Sequence, residues 1–334
     1  MPYPFVSILI PIRNEAAYID RCMDLVRSQD YDRNNFEILV ADGMSNDGTR
    51  DKLKAHKIND SRVKVFDNPG KIVATGLNIL TQHARGEILI RVDGHCVIAP
   101  DYVSNCVRHI QSEGVDAVGG PMCSVGEDTI SQAIALAMSA RFGVGYSCFR
   151  TESDQTKLVD TVPFPAYTRA IIEKVGPYDE EMVRNQDDEY NYRIRKAGGR
   201  ILLAADVRSI YYSRGSLKKL WHQYYKYGFY KVRVLQKLPA QMRPRQFVPL
   251  LFMLALMVAV LLSLAAPWGW LALAGILGVY LITNFVVSFA LAFTEGWQYF
   301  GWLPLAFATL HVSYGIGFLV GLFKFWNRWG DRQG

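Results

Sequence analysis

Two patterns of apolar and polar positions divide this chain of 334 residues. Up to residue 206, short apolar runs rich in β-branched residues alternate with stretches in which apolar side chains recur at helical spacing. From Phe247 onward the apolar runs are much longer and carry no charge. The first pattern is typical of a globular domain that combines strands and helices, and the second of membrane-spanning helices.

The strands and helices of the first region alternate along the chain. The run FVSILIPI at residues 5–12 predicts a buried strand, and EAAYIDRCMDLVRSQ at residues 15–29 predicts a helix, with Ile19, Met23 and Val26 at helical spacing. The alternation continues with predicted strands FEILVAD, VKVF, EILIRVD and VDAVGG, and with predicted helices over 47–57, 73–84 and 101–112. Consecutive strand and helix units with almost continuously apolar strands predict an α/β domain over residues 1–206. Its sheet should be mainly parallel, with helices on both faces.

Three long apolar runs follow, at residues 247–266, 270–293 and 303–323. A helix of about 20 residues spans the roughly 30 Å of a bilayer's hydrocarbon core. The core helices of a large globular domain can also be this apolar, but three such runs together favour the membrane. We therefore predict a membrane domain over residues 247–334 with three transmembrane helices.

A basic block, residues 207–246, precedes these runs. It holds ten Lys and Arg residues and no Asp or Glu, in a chain of net charge +6. Its stretch from Ser216 to Lys237 mixes basic and aromatic side chains, as an amphipathic helix at a membrane interface does. Basic residues beside a first span mark the cytoplasmic side and attract anionic lipids. We predict a multi-pass protein of the inner (plasma) membrane with a cytoplasmic N-terminal domain, whose basic block binds membrane lipids and not nucleic acid.

The charge of the C-terminal tail conflicts with a simple count of spans. Three spans place the tail outside the cell, yet it carries Lys324, Arg328 and Arg332, which favour the cytoplasmic side. Either the third apolar run is re-entrant, or so short a basic tail is tolerated outside. The sequence is compatible with both.

Candidate chemistry lies at the ends of the predicted strands. The first strand ends in PIRNE, the second in VADGMSNDGT and the fourth in RVDGH, which place Glu15, Asp42 and Asp93 just past apolar runs. A single carboxylate of this kind is most often a cap or turn residue. Parallel strands end at the same edge of a sheet, where ligands of open α/β sheets bind, so the three carboxylates should converge there.

The sequence lacks both common glycine-rich phosphate loops, G-x-x-x-x-G-K-[ST] and G-x-G-x-x-G. A bound phosphate would then be neutralised by a metal ion or by a lysine. Asp93 and His95 can supply part of a Mn²⁺ or Mg²⁺ shell that diphosphate and water oxygens complete, and the imidazole favours Mn²⁺. Alternatively, His95 only hydrogen-bonds its own loop. Lys71, in NPGKIVATGLN, is either a phosphate contact or a turn residue.

The spacing of PIRNE, VADGMSNDGT, NPGKIVATGLN, RVDGH and NQDDEYNYRIRKAGG resembles that of the family 2 inverting glycosyltransferases with the GT-A fold. The chain is similar to the membrane-anchored branch that includes a succinoglycan-biosynthesis glucosyltransferase. The resemblance implies a Rossmann-like GT-A domain followed by transmembrane helices, and a nucleotide-sugar donor. It implies donor-binding roles for Pro11, Arg13, Glu15, Asp42, Lys71 and Asp93. Among these, Glu15 and Asp42 would contact the base and the ribose.

The resemblance also implies that Asp93 is the metal-binding aspartate of a D-x-D motif and that Asp187 is the general base. The chain departs from the family pattern at both places. D-G-H stands where the family has D-x-D, so the motif does not identify the second metal ligand. Q-D-D stands where the family often has E-D, which makes Asp188 a second candidate for the catalytic base.

Helical geometry favours Asp187 over its neighbours. At about 100° per residue, Asp187 shares a face with Tyr190 and Ile194, and we expect that face to be buried. Glu189 and Arg193 lie on the opposite face as an i,i+4 pair, the pattern of a solvent-exposed helix surface. We therefore predict that Glu189 is a surface residue and that Asp187 faces the strand ends.

These features predict an inverting hexosyltransferase. In such a reaction one carboxylate takes the proton of an acceptor hydroxyl that attacks C1 of the sugar, while a metal stabilises the departing diphosphate. We predict transfer from a nucleotide-sugar, expected to be a UDP-sugar, to a polyprenyl-diphosphate-linked saccharide in exopolysaccharide synthesis. HQYYKYG stands where processive members have Q-x-x-R-W, so we expect one sugar per encounter. The alternatives are a polyprenyl-monophosphate acceptor, already ionised and in no need of a base, and a catalytically idle nucleotide-sugar-binding scaffold.

Overall fold

The computed structural model describes residues 3–145, 147–151 and 154–330. The chain divides into two compact units. One contains the chain up to Cys123 together with Cys148–Tyr211, and the other contains Ser124–Ser147 together with the chain from Tyr212 onward. The domain limits at residues 206 and 246 remain predictions, and the tail residue Arg332 lies outside the described part of the chain. The sequence did not indicate that the segment Ser124–Ser147 belongs with the C-terminal helices.

Eleven strands are present in the described residues. They are β1 Val6–Ile12, β2 Phe36–Asp42, β3 Val63–Asp67, β4 Ile88–Arg91, β5 Cys96–Ile98, β6 Ala117–Gly119, β7 Met122–Val125, β8 Lys157–Leu158, β9 Ala166–Thr168, β10 Ile201–Leu203 and β11 Ser209–Tyr212. Eight of them form one sheet in the order β3-β2-β1-β4-β9-β6-β10-β8, and β5, β11 and β7 form a second.

Thirteen α-helices are described. They are α1 Ile19–Arg27, α2 Thr49–Asn59, α3 Val73–His83, α4 Tyr102–Glu113, α5 Thr129–Ser139, α6 Arg141–Val144, α7 Cys148–Thr151, α8 Arg169–Val175, α9 Gln186–Lys196, α10 Leu217–Lys237, α11 Val248–Ala265, α12 Gly269–Glu295 and α13 Leu303–Lys324. The order of β1 to β4, α1 to α4 and β6 is the one that the sequence predicts, whereas β5, between β4 and α4, was not predicted.

The large sheet is mainly parallel, as predicted. β1 lies between β2 and β4, and Ile8 is the parallel partner of Ile38 on one side and of Ile90 on the other. β3 continues the parallel part beside β2, and β6 is parallel to β10. Two strands are antiparallel to their neighbours, namely β9, which lies between β4 and β6, and β8, which pairs with β10 at the edge of the sheet. No sequence pattern indicated β9, because its three residues are too few to show a period.

β1 and β2 form the centre of the parallel part, and all of their residues are buried. Successive side chains of a strand point to opposite faces of the sheet, so complete burial means that both faces are covered. Leu9 and Leu39 pack with Leu77 and Leu80 of α3 in the main apolar core. The continuous apolar runs of β1 and β2 thus follow from their place in the sheet, where neither face meets water.

The first helix begins later than predicted. The apolar spacing allowed a helix from Glu15, but α1 begins at Ile19. The backbone N–H groups of Tyr18 and Ile19 both donate to the carbonyl of Glu15, at 2.9 Å each. Residues 15–18 thus form a turn, which leaves the Glu15 side chain at the tip of β1.

Three helices of the second unit are long and apolar enough to cross a membrane. They comprise residues Pro244–Ala265, Gly269–Glu295 and Leu303–Lys324, close to the predicted runs. α10 matches the helix predicted between Ser216 and Lys237, and the hydroxyl of Ser216 caps it by accepting from the backbone N–H of Lys219.

Candidate active site

The loops that follow β1 and β2 are joined by hydrogen bonds. The backbone N–H of Asn14 donates to Ser45 Oγ at 2.8 Å, and the N–H of Asn46 donates to Asn14 Oδ1 at 3.0 Å. The N–H of Glu15 donates to Thr49 Oγ1 at 2.9 Å. Asn14 has φ of 57°, a left-handed conformation that asparagine tolerates better than most residues. These contacts hold the two strand ends as one rim.

Asp42 lies beneath this rim and not on it. Its residue surface is only 1% exposed, and its carboxylate accepts from the backbone N–H of Ser45 at 3.1 Å. Arg50 Nη1 donates to Asp42 Oδ2 at 2.8 Å, and Arg50 Nη2 donates to Asp67 Oδ1 at 2.7 Å. Arg50 therefore joins the ends of β2 and β3, and the pKa of Arg50 is raised by its bond to Asp67.

The end of β4 comes against the end of β1. A Cβ on Gly94 would lie 2.7 Å from Ile12 Cγ2, so only glycine permits this approach. The approach brings His95 Nδ1 within 3.0 Å of Glu15 Oε1, a hydrogen-bonded pair. The His95 ring also meets Tyr211 edge to face, with 5.7 Å between ring centroids. Glu15 and His95, 80 residues apart in the chain, thus form part of one site.

A buried arginine joins the end of β4 to the start of α9. Arg91 is 4% exposed. Its Nε donates to Asp93 Oδ1 at 3.0 Å, and its Nη1 donates to Asp187 Oδ1. One guanidinium therefore holds two of the carboxylates that the sequence singled out. The polar contacts run from Glu15 through His95 to the Asp93 loop, and on through Arg91 to Asp187.

The electrostatics of this cluster are set by burial and by the three charges together. Desolvation raises the pKa of Asp187 above its ordinary value, and the nearby carboxylates of Asp93 and Asp188 add to the rise. Arg91 opposes this rise but does not cancel it. Burial would lower the pKa of Arg91, yet Asp187 and Asp93 more than compensate, so its pKa is raised and it stays charged.

Asp187 and Asp188 occupy the first turn of α9, where the helix dipole favours negative charge. Asn185, just before the helix, has φ of 63° and so sets the angle at which the chain enters it. The side chain of Asp187 keeps 36% of its surface exposed, and its Oδ1 accepts from the buried Arg91. Asp188 is also partly exposed.

The prediction that Glu189 is a surface residue is wrong. Glu189 is 0% exposed. Its two carboxylate oxygens accept from Arg193 at 2.5 and 3.0 Å, and Arg193 also donates to the carbonyls of Val175 and Pro177 at 2.6 and 2.8 Å. Through these bonds the Glu189 and Arg193 pair connects α9 to the end of α8. Helical periodicity could not reveal this, because the carbonyl groups that satisfy Arg193 come from the preceding loop.

The remaining donor-site candidates lie around the same strand ends. Pro11 is buried within β1. Arg13 is exposed, and its Cβ lies 3.0 Å from the position that a Cβ on Gly43 would occupy. Lys71 is exposed in the turn before α3, with φ of 60°. Arg13 and Lys71 are therefore accessible cations, whereas Pro11 supports the rim from below.

The residues at the end of β4 fit an incomplete metal shell. In residues 3–145, 147–151 and 154–330, no three His, Cys, Asp or Glu side chains are grouped closely enough to hold an ion by themselves. Asp93 commits Oδ1 to Arg91, and the described residues offer no hydrogen bond to its Oδ2. A carboxylate oxygen beside an imidazole suits an ion such as Mn²⁺ that takes its other ligands from a diphosphate and water.

The family model for Glycosyl transferase family 2 matches residues 7–176, which contain β1 to β4, the Glu15 and Asp42 loops and Asp93. This chain belongs to that family. The family 2 glycosyltransferase described here is 30% identical over 330 residues to the succinoglycan biosynthesis protein ExoA of Rhizobium meliloti (strain 1021), and the match covers 96% of each chain. The predicted family, the enzyme class and the branch that the motifs suggested are confirmed.

A second relative comes from an archaeon. The dolichyl N-acetyl-α-D-glucosaminyl phosphate 3-β-D-2,3-diacetamido-2,3-dideoxy-β-D-glucuronosyltransferase of Methanococcus voltae is 25% identical over 328 residues, covering 96% of this chain and 98% of its own. Among solved structures, the mannosyltransferase PcManGT of Pyrobaculum calidifontis, in complex with GDP-Man and Mn²⁺, superposes with a TM-score of 0.60 at 20% identity. That match covers 96% of this glycosyltransferase and 88% of the mannosyltransferase, and it confirms the GT-A fold.

Two arginines of the site were missed by the sequence reasoning. Arg91 had a signal, since it is the one charged residue in the apolar strand ILIR, and a charge in a buried strand needs partners. Arg50 had none, because it looks like any basic residue on the surface of a helix. Its partners, Asp42 and Asp67, end two adjacent strands and meet Arg50 only in the folded chain.

Proposed function

We propose that this family 2 glycosyltransferase transfers one sugar, with inversion at C1, from a UDP-sugar to a polyprenyl-diphosphate-linked saccharide in polysaccharide synthesis. The observation that carries the proposal is the cluster around Arg91, which gathers Asp93 and Asp187 beside the Glu15 and His95 pair. The transfer needs a countercharge for the donor diphosphate and a base for the acceptor hydroxyl. This cluster offers groups of both kinds.

Asp187 is the proposed general base. It stands at the helix N-terminus with a third of its side chain accessible, as a group that must meet an acceptor hydroxyl should be. Its raised pKa makes the carboxylate a stronger base than an ordinary aspartate while Arg91 helps to keep it ionised. Asp188 is the second candidate, since it lies in the same turn and is also partly exposed.

Asp93 and His95 are the proposed ligands of a Mn²⁺ or Mg²⁺ ion. When bound, such an ion neutralises the charge that develops on the departing diphosphate. Arg91 holds the Asp93 carboxylate by one oxygen and leaves the other for this role. Glu15 orients the His95 ring through Nδ1, as the partner of a metal-ligating histidine commonly does.

The donor site is proposed to follow the rim from β1 to β3. Arg13 and Lys71 are exposed cations on the loops after β1 and before α3, where they would contact phosphate oxygens. Glu15 would contact the nucleoside. Asp42 and Pro11 are buried, so we propose that they support the base and ribose pocket from beneath. Arg50, which is bonded to Asp42 and partly exposed, would be the side chain of this pair that the donor can reach.

The acceptor proposal is supported by the names of the relatives. ExoA acts in succinoglycan biosynthesis, and the Methanococcus voltae enzyme is named for transfer to a sugar carried on dolichyl phosphate. A saccharide on a lipid carrier presents a hydroxyl, which requires the base that Asp187 provides. The three apolar helices would hold the enzyme where such an acceptor lies, with the catalytic unit on the cytoplasmic side of the inner membrane.

A direct assay tests this function. Purified full-length protein would be incubated with UDP- and GDP-sugars and with lipid-linked saccharides, and nucleotide release would be followed with Mn²⁺ and with EDTA. We expect release that requires both an acceptor and a divalent ion. Donor binding without release would identify a catalytically idle scaffold, and release unaffected by EDTA would remove the metal role from Asp93.

Matched variants separate the two candidate bases. We expect Asp187→Asn to lower kcat by 10²-fold or more, in the range of a lost general base. Asp188→Asn should retain most of the activity, and Asp51→Asn, an exposed carboxylate on α2, serves as the control for the chemical change. Near-normal turnover of Asp187→Asn with a polyprenyl monophosphate would instead establish the acceptor that needs no base.

A further inference from the structure

The helices α11 and α12 form an antiparallel hairpin. A Cβ on Gly269, at the start of α12, would lie 2.2 Å from the carbonyl carbon of Leu262, near the end of α11. Further along, the rings of Phe252 and Tyr280 stack with centroids 4.6 Å apart. Because the helices run in opposite directions, Asn284, one turn after Tyr280, is level with the first turn of α11.

In the described residues, the contacts of α13 with this hairpin that follow all lie within about two turns of the start of α11. Near its start, the carbonyl of Pro304 accepts from Asn284 Nδ2 at 3.1 Å. In its middle, His311 Nδ1 lies 3.0 Å from Tyr280 Oη. Later, Phe318 packs on Phe247 just before α11, with 5.9 Å between ring centroids.

The spacing of these contacts defines the direction of α13. Pro304 and Phe318 lie about 21 Å apart along a helix with a rise of 1.5 Å per residue. Both nevertheless contact the hairpin level with the first turn of α11. If α13 ran parallel to α11 and α12, these two residues would instead contact the hairpin at levels about 21 Å apart. α13 therefore crosses the base of the hairpin, at a steep angle to α11 and α12.

A second contact points the same way. α10 packs closely alongside α13, and the two run in the same direction. A Cβ on Gly317 would lie 2.1 Å from the carbonyl oxygen of Tyr225, and farther along, Gln236 Nε2 donates to the carbonyl of Phe325 at 2.6 Å. The length of α10 carries basic side chains, namely Lys218, Lys219, Lys226, Lys231, Arg233 and Lys237, of which the last three are buried within the protein.

So many charges cannot be distributed across a hydrocarbon core. A helix packed against α10 over this length has to share its orientation in the bilayer. The burial of the apolar helices agrees with this. In α11 and α12, 17% of the most apolar stretch is buried within the protein, as for lipid-facing spans, whereas in α13 the share is 44%.

We infer that α11 and α12 are the two membrane spans, and that α13 lies with α10 in the plane of the membrane at the side where α11 begins. The partner of this α10–α13 pair is the lipid interface of that leaflet, whose acidic headgroups suit Lys218, Lys219 and Lys226, the basic side chains of α10 that are exposed or partly exposed. The inference is independent of the proposed reaction.

This arrangement removes the charge conflict of the tail. With two spans, the tail lies on the same side as the chain before α11, so Lys324 and Arg328 are on the side that basic residues favour. A re-entrant third run is excluded by the helix itself. α13 continues without a break from Leu303 to Lys324 and cannot turn back inside the bilayer.

Cysteine labelling of the full chain distinguishes two spans from three. Three single changes would be made, at Trp268 between α11 and α12, at Gly301 between α12 and α13, and at Gly330 after α13. Trp268 is 59% exposed, and a Cβ at Gly301 or Gly330 would have no atom within 4 Å, so each cysteine is tolerated. All five native cysteines precede Tyr212, on one side of the membrane in either arrangement.

Spheroplasts that express each variant would be treated with a membrane-impermeant maleimide, before and after the membrane is opened. We expect Trp268→Cys to react in intact spheroplasts, and Gly301→Cys and Gly330→Cys to be labelled above the level of the unaltered chain, whose exposed Cys123 also reacts, only after opening. Two spans and three differ only at Gly330. Reaction of Gly330→Cys in intact spheroplasts would mean that α13 spans the membrane and would overturn the inference.

A fusion of green fluorescent protein to the C-terminus of the unaltered chain gives an independent measurement, because this reporter fluoresces only on the cytoplasmic side. We expect full fluorescence at a level set by the amount of protein in the membrane. A dark fusion that is present in the membrane at normal amount, combined with external labelling at Gly330, would establish three spans.

Discussion

The Arg91 guanidinium is the contact on which the candidate site depends, and replacing it by methionine tests that dependence. Arg91→Met keeps an unbranched apolar stem, shorter than that of arginine, but removes the bonds to Asp93 and Asp187. The two carboxylates would then face each other across the space that the cation occupied. Asp187→Asn, alone and combined with Arg91→Met, completes a double-mutant cycle.

The magnitude follows from the burial of the three groups. Removing one partner of a fully buried ion pair costs about 3–5 kcal/mol. Arg91 is 5% exposed by side chain, but Asp93 and Asp187 keep 23% and 36%, and water screens the exposed part of each. We therefore expect Arg91→Met to destabilise folding by about 2 kcal/mol, and a coupling between Arg91 and Asp187 of about 1 kcal/mol. Thermal or denaturant unfolding in detergent measures both.

The same change should alter the pH dependence of the reaction. Arg91 lowers the pKa of Asp187, against the rise caused by desolvation and by Asp93. Without it, the pKa of Asp187 rises further, so the ionised form that can accept a proton appears only at higher pH. The acidic limb of kcat should move to higher pH, by about 0.7 units for a coupling of 1 kcal/mol.

The control is Arg91→Lys, which keeps a positive charge but cannot bridge both carboxylates in the same way. It should lie between the wild type and Arg91→Met in both stability and the position of the acidic limb. A coupling below about 0.3 kcal/mol, together with an unmoved limb, would refute the reasoning, because that is the level of independent sites.

Three further predictions concern other parts of the chain. Glu189→Ala should destabilise folding by about 2–3 kcal/mol, since it leaves the partly buried Arg193 without its carboxylate, whereas a surface pair is worth about 0.2–0.5 kcal/mol; chemical unfolding distinguishes the two. Gly317→Leu should separate α10 from α13 at Tyr225, and faster proteolysis of α10 in detergent would report it. Asp93→Asn should weaken the stimulation of nucleotide release by Mn²⁺ at least tenfold, with donor binding in the absence of metal unchanged as its control.

Much of the fold was determined by the sequence alone. The spacing of apolar residues predicts the strands from β1 to β4 and the helices between them. Both faces of β1 are covered, which is why its sequence is continuously apolar. The placement of Glu15 and Asp93 near one another follows from a general property of parallel sheets. The lengths of the apolar helices likewise follow from the lengths of the uncharged runs in the sequence.

The pairing of side chains across long distances was decided only by the tertiary structure. Arg91 and Asp187 are 96 residues apart, and no local period relates them. Glu189 has the spacing of a surface pair, but it is buried, and Val175 at the end of α8 and Pro177 just after it supply carbonyls to its partner Arg193. An apolar period shows which side of a helix prefers to be buried, whereas actual burial depends on which elements arrive there.

The direction of α13 is the clearest example of the same division. Its length and apolar composition are those of a transmembrane helix, whereas the basic residues after it favour the cytoplasmic side, so the sequence alone leaves its orientation open. The orientation depends on packing, through Gly317 against α10 and through His311 and Phe318 against the base of the α11–α12 hairpin. The physical reason is that the bilayer requires only that the surface of the helix be apolar, whereas the contacts between helices determine the angle at which the helix lies in the membrane.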